Sequence, residues 1–291
     1  MLICVDGTGT GEGTVPDFLY DTKFRSGNYA EEKAGSFVGQ IYYGSHLQNR
    51  RYYQGPDLTG TGPNFIWPYN LCQQIIEFWR QGDHQIFLTG WSRGAAIVIA
   101  TAAILADLQP MPDGQIATIE AMFLFDAVAR SVELSRAKSI PSNVVYCYHA
   151  MRDPATNSRR SFGNCGDIAN VGWDLKGVTY YVPRKFYTTH GGMGGGPWGA
   201  KRGLPDYTSD KLSPSDAAAR AQRIDARYFS GGPKLDGSDL NSWVLSNEFI
   251  YEGTIDGITN VTVAQEKAGS QAVHDWMWPF LKKHHVLLPA K

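Results

Sequence analysis

The stretch Gln85-Ile86-Phe87-Leu88-Thr89-Gly90-Trp91-Ser92-Arg93-Gly94-Ala95-Ala96 decides how the rest of the chain is read. Gln85 to Leu88 has the short apolar run of a buried strand. Thr89 to Gly94 reads as a turn, and Ala95 to Leu108 as a buried helix that stops before Pro110 and Pro112. A Gly-x-Ser-x-Gly at residues 90–94 therefore stands between a strand and a helix. That is the context a nucleophile elbow requires: the serine sits in a strained turn, and glycines two residues to either side let the backbone close around it. A structural turn is the plainer reading, and in a chain with 32 glycines the letters alone are not rare. The flanking strand and helix are what favour chemistry.

Outward from this point the pattern repeats. Leu2 to Val5 is a second buried strand, ended by the turn Asp6-Gly7-Thr8-Gly9-Thr10-Gly11. Asn64 to Arg80 sets Phe65, Tyr69, Cys72, Ile75, Ile76 and Trp79 at helical spacing. Ile116 to Phe125 and Asn143 to Tyr148 read as strands, the first stopping at Asp126. Strands alternating with helices predict an α/β fold, a mainly parallel central sheet flanked by helices. The C-terminal half is looser. Residues 152 to 170 are polar and turn-rich, Pro214 to Phe229 reads as a helix, and His274 to His285 as a terminal helix interrupted at Pro279. With no internal repeat and no linker, residues 1–291 read as one decorated domain, in which about 200–270 form a lid or insertion over the sheet.

Composition narrows the classes. A chain of 291 residues with 43% hydrophobic residues can bury a large core, and its net charge of −1 is wrong for a disordered segment. The balance of 27 Lys+Arg against 28 Asp+Glu argues against a general nucleic-acid binder. No apolar run approaches the roughly 20 residues that cross a bilayer. The apolar start Leu2-Ile3-Cys4-Val5 stops at Asp6, too short for the core of a secretory signal, so a soluble chain made in the cytoplasm is expected. Cys4, Cys72, Cys147 and Cys165 are scattered, and they read as buried thiols rather than as disulfides or a zinc site.

A serine nucleophile needs a base, and the base needs an acid to orient it. In strand–turn–helix hydrolases the chain order is Ser, then Asp or Glu, then His. Asp126 ends a strand after Ser92, at the end of a parallel sheet where sites form; a helix N-cap is its plainer reading. Two histidines compete for the base. His190 opens the glycine-rich His190-Gly191-Gly192-Met193-Gly194-Gly195-Gly196, and His274 precedes the last helical stretch. An oxyanion hole would take the N–H of Arg93, the residue after the nucleophile, with a second donor from Gly7 or Thr8. The turn after Val5 lacks both GxGxxG spacing and a P-loop lysine, so nucleotide binding ranks low. This chemistry needs no cofactor and no metal.

These residues, taken in order, resemble the α/β-hydrolase domain of the first class of type VI secretion lipase effectors and the uncharacterised bacterial and fungal hydrolases related to them. The similar segments are Asp6-Gly7-Thr8, Tyr52-Tyr53-Gln54-Gly55-Pro56, Gly90-Trp91-Ser92-Arg93-Gly94-Ala95 and Phe125-Asp126-Ala127-Val128. Further on, His149-Ala150-Met151 with Arg159-Arg160-Ser161-Phe162 and the His190 to Gly196 loop also match. The resemblance implies an α/β-hydrolase fold, a Ser92–Asp126–His190 triad and an ester substrate, most of all a lipid or phospholipid. It further implies peripheral contact with membrane lipid, export by a dedicated secretion system and an immunity-protein partner. Gly191 and Gly192 depart from the family's Ser-Asp after the histidine, which removes a carboxylate beside the base. Nothing beyond residue 200 takes part in the resemblance. A non-lipid esterase or thioesterase of the same fold, or a silent interaction protein that keeps the fold, are the rival expectations.

Overall fold

Six strands form the central sheet of the computed structural model, in which residues 1–7, 35–53, 55, 66–107, 111–129, 136–169, 180–195, 249–251 and 258–288 are described. They are β1 (Leu2–Val5), β2 (Arg50–Tyr53), β3 (Ile86–Trp91), β4 (Ile119–Phe125), β5 (Val144–Arg152) and β6 (Tyr180–Phe186). Their spatial order is β6-β5-β4-β3-β1-β2. Neighbours from β2 to β5 run parallel, with Val5 beside both Tyr53 and Gly90, Trp91 beside Phe125, and Phe125 beside Ala150. The fold is thus of α/β type, a mostly parallel sheet flanked by helices.

Side-chain alternation explains the layers. Ile3, Val5, Leu88, Met122 and Leu124 point to one face and pack with α2 (Ile66–Arg80) and α3 (Arg93–Asp107) in a single apolar cluster. The intervening residues point to the other face, an aromatic one. There Phe125 meets Phe37 of α1 (Phe37–Gly44), Tyr148 stacks on Phe280 of α4 (Val263–Lys283), and Phe123 and Tyr148 both meet His284, the residue just past that helix. Strands buried on both faces explain why β1, β3 and β4 read as continuous apolar runs rather than alternating ones.

Several elements differ from the sequence expectation. The strand at Gln85 to Leu88 runs on through Thr89, Gly90 and Trp91. The one at Asn143 to Tyr148 extends to Arg152 and takes in His149. The terminal helix begins at Val263, where Thr262 and Gln265 cap each other reciprocally, and it continues through Pro279, which lies on the exposed side. The expected helix at 214–229 and most of the expected lid at 200–270 lie outside the described residues. Within that range, β7 (Phe249–Tyr251) and β8 (Ile258–Thr262) pair antiparallel.

The chain divides into two compact units. One comprises Met1–Met151, Phe162–Arg184 and Val273–Lys291; the other comprises Arg152–Ser161 and Lys185–Ala272. All four cysteines belong to the first unit, are buried, and form no disulfide. Burial pushes the Cys72 thiol up to about 12 and that of Cys165 to about 11. No described helix is long and apolar enough to cross a membrane.

Candidate active site

The strand order contains one reversal. From β1 the chain passes outward to β2 and then returns to β3 on the opposite side of β1. A crevice forms outside the carboxyl ends of two such strands, and α/β sheets bind their ligands there. The residues at those ends are Asp6-Gly7 after β1 and Ser92 after β3.

Ser92 is the single residue between Trp91, the last of β3, and Arg93, the first of α3. Its φ is 58°, in the left-handed region, where a residue with a Cβ is strained by about 1–3 kcal/mol. The surrounding backbone holds it there. Ser92 N–H donates to Phe125 O at 3.0 Å, and Ser92 O accepts from Ala96 and Val128, each at 3.3 Å. The two flanking glycines are steric necessities. A Cβ on Gly90 would stand 2.7 Å from Ala95 Cα, and one on Gly94 would collide with the carbonyls of Val5 and Asp6. The helix therefore starts directly against the end of β1. Arg93 occupies its first position, where N–H groups lie outside the intrahelical ladder and favour an anion.

Asp126 follows β4 as Ser92 follows β3, one step beyond the Trp91–Phe125 pair. It is buried, has φ 46°, and donates its N–H to Ala150 O at 2.7 Å. Adjoining strands lie about 4.8 Å apart, so Ser92 and Asp126 share one edge of the sheet. Val128–Ala129 continues as a short strand paired with Gly163–Asn164, so Asp126 does not begin a helix and the N-cap alternative does not apply.

Two buried groups beside this edge have partners that motif reading did not assign. Asp6 is fully buried, and its carboxylate accepts from Ser36 Oγ and Tyr52 Oη, each at 2.5 Å, and from Gly7 N–H at 2.8 Å. Ser36 also caps α1, so one hydroxyl ties that helix to the turn after β1. Of the two expected oxyanion donors in that turn, Gly7 N–H is thus engaged by Asp6, and Thr8 lies outside the described residues. His149, expected after its strand, instead lies inside β5, fully enclosed; burial pushes its imidazole down to about 4.

In the second unit, His190 opens a single helical turn, His190–Met193, within the glycine-rich segment that the sequence suggested as a mobile or tightly turned loop. Thr189 caps it, accepting from Gly192 N–H at 3.1 Å and donating to the buried Glu266 carboxylate. Thr188 Oγ1 donates to Glu266 O at 2.9 Å, and His190 N–H donates to Ser158 Oγ at 2.8 Å. A Cβ on Gly192 would strike Thr188 Oγ1 and stand 3.1 Å from Glu266 Cγ. Helix α4 thereby brings a carboxylate next to Thr189 and Gly192. His274, the competing base, sits on α4 with its ring 3.9 Å from Trp278 and 6.0 Å from Phe37, and its Nδ1 3.0 Å from Asp275. Ring packing and an acidic neighbour account for it.

The described residues hold no group of three or more His, Cys, Asp or Glu arranged to bind a metal. Compared with known proteins, the chain matches no family model and no curated protein. Among solved structures it is similar to an uncharacterized protein from Pseudomonas aeruginosa, with 14% identity and a TM-score of 0.38. That match covers 67% of this chain and 42% of the other, so the chain spans less than half the length of its structural neighbour.

Proposed function

We propose that the chain is a serine hydrolase of the α/β-hydrolase fold that cleaves carboxylic esters through an acyl-enzyme. One observation carries the reading: Ser92 is held at φ 58° between a parallel strand and a helix, at the reversal of strand order, beside a buried aspartate. Strain of this kind is kept where the surrounding fold over-determines it, and such positions cluster at functional sites.

In the proposed reaction Ser92 Oγ attacks the ester carbonyl. A histidine base takes the serine proton and delivers it to the leaving alcohol, and an acid fixes the tautomer of that base; the family resemblance gives these roles to His190 and Asp126. Water then attacks the acyl-enzyme, with the same histidine again the base. The oxyanion is stabilised by Arg93 N–H and by an amide of the turn after β1, for which Thr8 is favoured since Asp6 engages Gly7. Chain order admits both His190 and His274, and the glycine-rich sequence after His190 together with the family resemblance favours His190. Lipid or phospholipid as the ester, and contact with a membrane surface, rest on that resemblance alone.

A fluorophosphonate tests the reading directly. Wild-type protein is expected to be labelled on Ser92 and to hydrolyse either phospholipid vesicles or short soluble esters. Turnover of vesicles supports a lipase, and turnover of soluble esters alone supports a general esterase. Absence of both labelling and turnover would favour a silent interaction protein.

A further inference from the structure

His149 stands next to the Asp126 turn with both ring nitrogens engaged. Its backbone is in register with Leu124, and its ring reaches past the strand end. Nδ1 lies 3.1 Å from Gly166 O, a carbonyl that can only accept, so Nδ1 carries the proton. Nε2 lies 3.2 Å from Ala127 N, an amide that can only donate, so Nε2 is unprotonated. The two partners together fix one neutral tautomer. Tyr181 Oη donates to the same Gly166 O at 2.8 Å and lies 3.4 Å from Nδ1. Burial disfavours the imidazolium, and the Gly166 carbonyl and the Asp126 and Asp167 carboxylates oppose that shift without reversing it.

The residue that His149 holds is the one after Asp126. Parallel pairing supplies an acceptor for Asp126 N–H, at Ala150 O, but the left-handed bend at Asp126 turns the next amide out of the ladder. Ala127 N–H then depends on a side chain, while Ala127 O accepts from Cys165 N–H at 2.9 Å. A buried amide left without its acceptor costs about 1–3 kcal/mol, enough to let the bend relax.

We propose that His149 is a positioning residue: as a neutral imidazole protonated on Nδ1, it holds Ala127 N–H and so fixes the left-handed turn that aims the Asp126 carboxylate. The catalytic consequence rests on the serine-hydrolase reading; the tautomer and the turn do not. A proton added to Nε2 would set two donors face to face and release the turn.

The test uses the full chain labelled with ¹⁵N, together with His149→Gln and His149→Asn. A glutamine oxygen reaches the place of Nε2 and keeps the acceptor, whereas asparagine reaches only the place of Nδ1. Wild type is expected to show His149 protonated on Nδ1 and a slowly exchanging Ala127 amide. His149→Gln should keep that protection and label with fluorophosphonate near the wild-type rate. His149→Asn should lose the protection and label about 100-fold more slowly, the scale of a misplacement near 1 Å. An Nε2-protonated His149 in wild type, or an asparagine variant with full Ala127 protection, would overturn the proposal; the wild-type spectrum decides even if a variant fails to fold. A wild type with the expected tautomer and protection but no labelling of Ser92 would instead remove the hydrolase reading and leave the hold on the Asp126 turn standing.

Discussion

Ser92 and Asp126 are equivalent positions on adjoining strands, each one residue past the Trp91–Phe125 pair and each in left-handed backbone, at φ 58° and 46°. A tether joins them, because Ser92 N–H donates to the carbonyl of Phe125, the residue before Asp126. Neither residue can change its backbone without disturbing the other.

Replacing Ser92 separates chemistry from strain. Both Ser92→Ala and Ser92→Gly should abolish fluorophosphonate labelling and lower kcat by roughly 10⁴–10⁶-fold. Glycine tolerates positive φ and alanine does not, so Ser92→Gly should be the more stable of the two by about 1 kcal/mol. Thermal melts compare them, and an alanine variant that melts higher would mean that the turn is not strained.

Asp126→Asn preserves shape but offers the base the wrong hydrogen-bonding partner. We expect kcat to fall on the order of 10⁴-fold with KM little changed. Unfolding without loss of specific activity in the folded fraction would make Asp126 structural. The search for the acid would then move to Asp167 or Asp153; the latter caps the short helical turn Pro154–Thr156.

His190→Gln and His274→Gln should part sharply. The first is expected to lose activity by several orders of magnitude while remaining folded, as loss of a general base requires. The second removes a ring from the Trp278 and Phe37 contacts, so a small drop in melting temperature with retained kcat is expected. Steady-state kinetics on both variants decides, and the reversed pattern would move the base to α4.

Stability should depend on pH through His149. Its folded-state pKa, lowered to about 4, lies below the ordinary unfolded value near 6.5, so the folded chain binds fewer protons between them. The contribution is complete above about pH 6.5, declines as pH falls towards 4, and amounts to roughly 3 kcal/mol at most. Denaturant titrations of wild type and His149→Gln between pH 5 and 7 should show a steeper loss in wild type; parallel curves would contradict this.

Thr189 links the His190 turn to Glu266, so Thr189→Val should remove a donor to a buried carboxylate and the cap of the turn. A loss of about 1–3 kcal/mol is expected, and Thr189→Ser should restore it. Equal stability of the valine variant and wild type in urea would show the cap to be dispensable.

Sequence periodicity located the elements buried by their own composition. Leu2–Val5 agrees to the residue, and the helices at 66–80 and 93–107 agree to within two residues at each end. It passed over Arg50–Tyr53 and Tyr180–Phe186, the two outermost strands, because an edge strand needs no apolar alternation and tolerates Arg184, Lys185 and even Pro183. Gly90 signalled a turn too early, since its missing Cβ serves close packing against Ala95 rather than a bend. The strand–turn–helix around Ser92 was legible because its geometry is local. Asp6, His149 and Glu266 were not, because they act on partners 30, 22 and 77 residues away in the chain.

The burial of every native thiol gives the chain a blank background for site-directed labelling. Maleimide chemistry requires an accessible thiolate, and burial withholds it at Cys72, Cys147 and Cys165, all with raised pKa. A cysteine installed at Ile116, 62% exposed in the first unit, and another at Tyr187, 38% exposed in the second, would therefore take up fluorophores selectively. Energy transfer between the two dyes would report the separation of the units in solution, with and without ester, in a protein that needs no prior removal of its own cysteines.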